Sequence, residues 1–75
     1  MSRNRIFSTS EKKVIGALYR LDRWATANEI ADWAEISWNT AKAVLRTLNL
    51  KEIVKAKTVK GTKYWRIREE YTEEY

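Results

Sequence analysis

The apolar positions of the chain form three stripes at helical spacing, followed by two short alternating runs. In the first stripe Val14, Ala17, Leu18 and Leu21 line one face, with Ile15 beside them. Ile30, Ala31 and Ala34 make a shorter second stripe, and Ala41, Val44, Leu45 and Leu48 recur at i, i+3, i+4 and i+7 in the third. A hydroxyl residue stands ahead of each stripe. Ser8 with Glu11, and Thr26 with Glu29, have the spacing of a capping box, in which the hydroxyl and the carboxylate each accept an orphan backbone N–H. Ser37 is suited to cap the third helix alone. The pattern therefore predicts a helix from Ser8 to near Asp22 and Arg23, a second starting at Ala27 and running about two and a half turns, and a third from Ser37 that finishes at Asn49 to Glu52. Glu35 and Ile36 make the turn between the last two, with Ile36 as an apolar plug. Trp24, Ala25 and Thr26 form a brief link with room for one or two residues of strand.

Beyond Leu48 the period shortens. Ile53 to Thr58 and Thr62 to Arg68 read as two strands joined at Lys60-Gly61, where glycine supplies the positive φ of a tight hairpin. This turn sets Val54 opposite Ile67 and Ala56 opposite Trp65, a core-facing side. Lys55, Lys57, Tyr64 and Arg66 then share the other face, with Lys60 and Lys63 near the tip. The expected class is α+β, three helices followed by a two-stranded hairpin. One domain spans residues 8–68, between a basic arm at 1–7 and an acidic, tyrosine-bearing tail at 69–75. Ile6 and Phe7 are expected to fold back on the body, Trp24 and Trp65 to lie in the core, and Trp38 either to cover the junction of the last two helices or to contact the sugars or bases of a nucleic acid. Gly16 breaks an otherwise good helix former pattern and would allow close approach of another helix.

Composition narrows the chemistry. The 75 residues contain no histidine and no cysteine, which removes thiolate–imidazole metal sites, disulfides, Cys nucleophiles and His general bases. No apolar run is long enough for a membrane span, and no apolar leader core precedes the first helix, so a cytoplasmic, nucleoid-associated protein is expected. No catalytic residue, metal or cofactor is expected: the clustered acids, Glu69, Glu70, Glu73 and Glu74, are confined to the tail, where a metal-dependent nuclease would need paired carboxylates in a cleft. Residues 1–68 hold all 15 Lys and Arg and six of the 10 acids, an excess that favours a polyanionic partner.

That excess has an obvious place to act. Stepping 100° per residue, Asn39, Lys42, Ala43 and Arg46 fall opposite the apolar stripe of the third helix, with Trp38 on the flank of the first turn. An amide, two cations and a small residue are what a helix needs to lie in a DNA major groove.

The order of elements, with Thr26-Ala27-Asn28-Glu29-Ile30-Ala31, Ile36-Ser37, Thr40-Ala41, Leu45, Leu48, Ile53-Val54 and Gly61-Thr62-Lys63-Tyr64-Trp65-Arg66-Ile67, resembles the winged helix-turn-helix domains of small regulators of the MarR or ArsR kind. The resemblance covers roughly residues 9–68. It implies that the third helix enters the major groove and that the hairpin, as a wing, touches phosphate or the minor groove. By position it implies DNA contacts from Ser37, Trp38, Asn39, Thr40, Lys42, Ala43 and Arg46, and from Lys55, Lys57, Lys60, Lys63 and Arg66 on the wing. Glu52 stands where such domains usually carry glycine, which puts the shape of the helix end in question. No ligand pocket is evident, so a plain DNA binder is expected rather than an effector-responsive one.

Each role has a plainer counterpart. Arg46 and Lys42 read guanine or hold phosphate, and Asn39 reads adenine or is simply solvated. Thr40 touches DNA or packs beside the stripe. The wing lysines contact phosphate or protect a strand edge. Trp33, off the buried stripe of its helix, is a candidate subunit contact. The reading is a sequence-specific double-stranded DNA-binding protein, most simply a transcriptional regulator working as a homodimer. The alternative is a winged-helix protein-interaction module of a larger nucleoprotein assembly.

Overall fold

Helix α1 (Thr9–Leu21) starts at Ser8, whose hydroxyl accepts the Glu11 N–H while the Glu11 carboxylate accepts the Ser8 N–H at 2.8 Å. Helix α2 (Ala27–Ala34) repeats the device with Thr26 and Glu29. Helix α3 (Trp38–Leu50) is capped by Ser37, which accepts from the Thr40 N–H. Strands β1 (Val54–Val59) and β2 (Thr62–Ile67) pair antiparallel with Val54 opposite Ile67 and Ala56 opposite Trp65, the register that the hairpin turn demands. The Ile53 carbonyl also accepts the Arg68 N–H, so pairing reaches one residue beyond each strand. Lys60 and Gly61 both have positive φ, 53° and 81°, the geometry of a two-residue type I′ turn. These statements rest on a computed structural model that describes residues 7–69. Arg3, Arg5 and Ile6 of the expected arm, and Glu70, Tyr71, Glu73, Glu74 and Tyr75 of the expected tail, lie outside the described residues.

The core gathers one face of each element: Val14, Ile15, Ala17 and Leu18 of α1, Ile30 and Ala34 of α2, Val44, Leu45 and Leu48 of α3, then Ile53, Val54 and Trp65. Truncating one of the fully buried leucines to alanine costs about 2–5 kcal/mol in such a setting. Phe7 and Ile36 pack against this cluster as expected. The link before α2 contributes a single residue of strand. Ala25 pairs with Trp65 on the side of β2 away from β1, which makes β2 the middle of a short three-stranded arrangement.

The helix ends need explanation, because the chain has only two glycines and neither is at one of them. Asp22, Glu35 and Glu52 each take the left-handed conformation, with φ of 49°, 59° and 63°. After α3 the Ile53 N–H donates to the Leu48 carbonyl and the Glu52 N–H to Asn49. After α2 the Ile36 N–H donates to Ala31 and the Glu35 N–H to Asp32. Both are Schellman closures, with Ile53 and Ile36 supplying the apolar contact that usually accompanies one. Glu52 thus keeps the backbone a glycine would have adopted, at a steric cost of about 1–2 kcal/mol. The helix end is not reshaped.

Three packing expectations are corrected. Ala56, opposite Trp65, is exposed, because the hairpin projects past the body and only its base is covered. Trp24 is half-buried and stands outside the core, with the Lys57 and Lys55 ammoniums 4.4 and 5.6 Å from its ring. A side chain added at Gly16 would meet nothing within 4 Å, so no other part of the described chain approaches there.

Candidate nucleic-acid interface

Two elements make the site. The apolar stripe of α3 turns Ala41, Val44, Leu45 and Leu48 inward and leaves Asn39, Ala43 and Arg46 on the exposed side of the helix. The Ala25–Trp65 pair fixes the hairpin base against the body, so that the wing stands beside α3. Between them lies an open cleft of about 630 Å³. From α3 it is lined by Trp38, Lys42, Arg46 and Asn49, and from the wing by Gly61, Thr62, Lys63 and Trp65. Thr26, Ala27 and Asn28, at the N-terminus of α2, close its third side.

The α3 lining residues follow the spacing i, i+4, i+8, i+11, a ridge along one flank of the helix. Asn49 and Asn28 were not singled out by sequence pattern. The signal for Asn49 was present in that spacing, whereas Asn28 depends on how the first turn of α2 sits against the wing. Trp38, expected to cover the helix junction or to meet nucleic acid, is 48% exposed. Its ring carries the Lys42 ammonium at 4.1 Å from the centroid, one helical turn on. The Thr40 hydroxyl is partly committed, accepting from the Ser37 hydroxyl at 2.8 Å within the cap.

The expected wing row divides. Strand alternation places Lys63 on the same side of the hairpin as Trp65, facing α3, with Lys60 at the tip. Lys55, Lys57, Tyr64 and Arg66 stand on the opposite side. There Lys55 and Lys57 lie over Trp24, Lys55 also faces Glu69 at 3.9 Å, and Arg66 faces Asp22 at 3.6 Å. Lys55, Lys57 and Arg66 thus lie on a different face from Lys63 and the charge of α3, because residues an odd number apart in a strand point to opposite faces. Among the described residues Lys42, Arg46, Lys60 and Lys63 face no carboxylate within ion-pair distance, unlike Arg23, Lys51, Lys55 and Arg66. Uncompensated cations around a concave surface focus a positive potential into it.

Two carboxylates away from the cleft hold the helices that frame it. Burial pushes the Glu11 carboxyl up, but the Ser8 N–H and the Lys51 ammonium, 3.1 Å away, outweigh it and leave the group below its ordinary range. The Arg23 guanidinium, then the Thr26 N–H, hold Glu29 below that range as well. Among the described residues no group of three or more Asp and Glu converges as metal ligands would, and no helix is long and apolar enough to cross a membrane.

No protein-family model and no curated protein sequence matches the chain. Solved structures do. The zinc-responsive MarR family member ZitR of Lactococcus lactis superposes with a TM-score of 0.66 at 21% identity, over 91% of this chain and 47% of its own. Wild-type ZitR in complex with DNA gives 0.66 at 21% identity with the same coverage. Wild-type ZitR alone gives 0.65 at 23% identity, covering 92% of this chain and 45% of its own. The chain thus spans about half the length of the ZitR chains it matches. At such identities the likeness is one of architecture: three helices and an antiparallel hairpin in this order and packing make the chain a winged helix-turn-helix domain.

Proposed function

We propose that this domain binds double-stranded DNA sequence-specifically as part of a transcriptional regulator. The observation that carries the reading is the cleft in which Lys42, Arg46 and Lys63 converge without carboxylate partners among the described residues, between a helix with an exposed polar face and a projecting hairpin. In this reading α3 lies in the major groove. Arg46, a planar fork at the centre of the exposed face, reads guanine, and Asn39 reads adenine. Ala43 lets the helix backbone approach the base edges. Ser37 and Thr40, at the helix start, and Lys42, Lys60 and Lys63 hold phosphates. Lys55, Lys57 and Arg66 add to the field from the far side of the wing. The fold shared with ZitR, which is known in complex with DNA, supports DNA as the partner.

A single domain of this size spans a short site, so two copies on a pseudo-palindrome would supply the selectivity of a regulator. Trp33, 54% exposed on α2, is a surface suited to such pairing. The test is selection of bound duplexes from a random pool, with the mass of the complex measured. Enrichment of one short motif is the expected result; a pool that stays random contradicts sequence-specific binding.

A further inference from the structure

Trp38 is an expensive residue to leave where it is. It is the first residue of α3, is 48% exposed and belongs to no apolar cluster of the described residues. An indole offers 150–250 Å² of surface in general, most of it apolar, and gains by being covered. Here it lines the same cleft as Lys42, Arg46 and Lys63. The Lys42 ammonium, 4.1 Å from the ring centroid, sits over the ring and helps hold its orientation.

A duplex held by those cations presents base edges to the first turn of α3. Those edges are mostly nitrogen and oxygen donors and acceptors, of which an indole can meet only an acceptor, and only through its single N–H; the apolar body of the ring needs an apolar partner. The one apolar group in the major groove is the 5-methyl of a pyrimidine, ordinarily thymine. We infer that Trp38 is a specificity-determining residue that reads a pyrimidine 5-methyl group, a step that rests on the duplex-binding reading above. Two sources share this chemistry, thymine and 5-methylcytosine.

The test uses the duplex recovered by selection. Each thymine is replaced singly by uracil, which deletes only the methyl, and each cytosine singly by 5-methylcytosine, which adds one. Affinities are measured for the wild-type chain, Trp38→Ala and Trp38→Phe. Burying one methyl is worth about a three- to fivefold change in affinity. At one position the wild type is expected to lose that factor on uracil substitution, or gain it on cytosine methylation, according to the source. Trp38→Ala should respond less than twofold there, and Trp38→Phe should keep part of the response. Because the indole is outside the core, Trp38→Ala should melt within a few degrees of wild type, which separates the effect from misfolding. The inference is overturned if every methyl change leaves wild-type affinity within twofold, or if the response persists in Trp38→Ala. Duplex binding without methyl sensitivity would sink this inference alone, whereas absence of duplex binding would sink the reading beneath it too.

Discussion

Ala25 and Trp65 satisfy each other completely: the Ala25 N–H donates to the Trp65 carbonyl at 3.0 Å, and the Trp65 N–H donates to the Ala25 carbonyl at 2.8 Å. A whole helix-turn-helix separates them in sequence. This exchange uses the outer edge of β2 and, with the Trp65 indole in the core, sets where the wing stands relative to α3. The cleft is a consequence of that placement.

Replacing Trp65 removes core volume and the indole that helps seat the wing, while the backbone exchange with Ala25 keeps its donors and acceptors. Trp65→Ala is expected to cost about 3–5 kcal/mol. Trp65→Phe, which keeps most of the apolar volume, should cost less. Denaturant unfolding checks both, and a loss under about 1 kcal/mol for the alanine variant would contradict the place of the indole in the core.

Glycine is misplaced in this chain, and moving it should stabilise the fold. Gly16 sits in the interior of α1 with open space around it, so Gly16→Ala should gain about 0.5–1 kcal/mol. Glu35→Gly and Glu52→Gly relieve a left-handed backbone at the two Schellman ends and should each gain a similar amount, about 0.5–1 kcal/mol. Gly61→Ala, at φ 81°, should instead destabilise. Thermal melts of the four variants give the signs directly.

Acid should weaken the fold through the capping-box carboxylates. Glu11 and Glu29 both titrate below their ordinary value of 4.5 in the folded chain. A group depressed on folding contributes its full stability above the unfolded value and loses it as pH falls through the folded one. Stability should hold from pH 7 to about 5 and decline below about 4.5. Glu11→Gln with Glu29→Gln keeps the acceptors of both boxes but should flatten that decline, as read from urea midpoints against pH. An equally steep acid limb in the double variant would contradict the assignment.

The division of the wing makes a contrast that uniform basicity would not. Lys63→Ala and Lys42→Ala should each reduce the slope of log affinity against log salt by about 0.9, one phosphate contact apiece. Lys57→Ala, whose ammonium lies over Trp24 behind the wing, should change it by less than half as much. Equal effects from all three would mean that the cleft is not the contact surface.

Much of this architecture was legible because it is local. Ser8 with Glu11, Thr26 with Glu29, and Lys60-Gly61 specify their backbone within four residues, and the stripe from Ala41 to Leu48 names the buried face of α3. What escaped depends on distances between elements. Ala56 alternates correctly but lies beyond the reach of the body, and Trp24 and Trp38 are large enough to be core yet amphipathic enough to stay half in water beside a lysine. Lys55 and Lys57 share a charge with Lys63 but not a face, which matters only once the wing is placed against α3. The strained end at Glu35 escaped for a different reason, and at Glu52 only the family resemblance marked the position: without glycine nothing in the residue type announces a left-handed backbone, and the partly buried Ile36 and buried Ile53 that enforce it act through tertiary packing. The site was legible as a helix face and a charged hairpin, while Asn28 and Asn49 needed the cleft itself.

The most direct test of the account is amide chemical-shift mapping of the chain titrated with its selected duplex at low salt. The shifts should cluster on α3 from Trp38 to Asn49 and on the wing tip from Lys60 to Lys63, and fade together as salt rises. Shifts centred on α1 or on the Trp24 side of the hairpin, or none at all in dilute buffer, would contradict it.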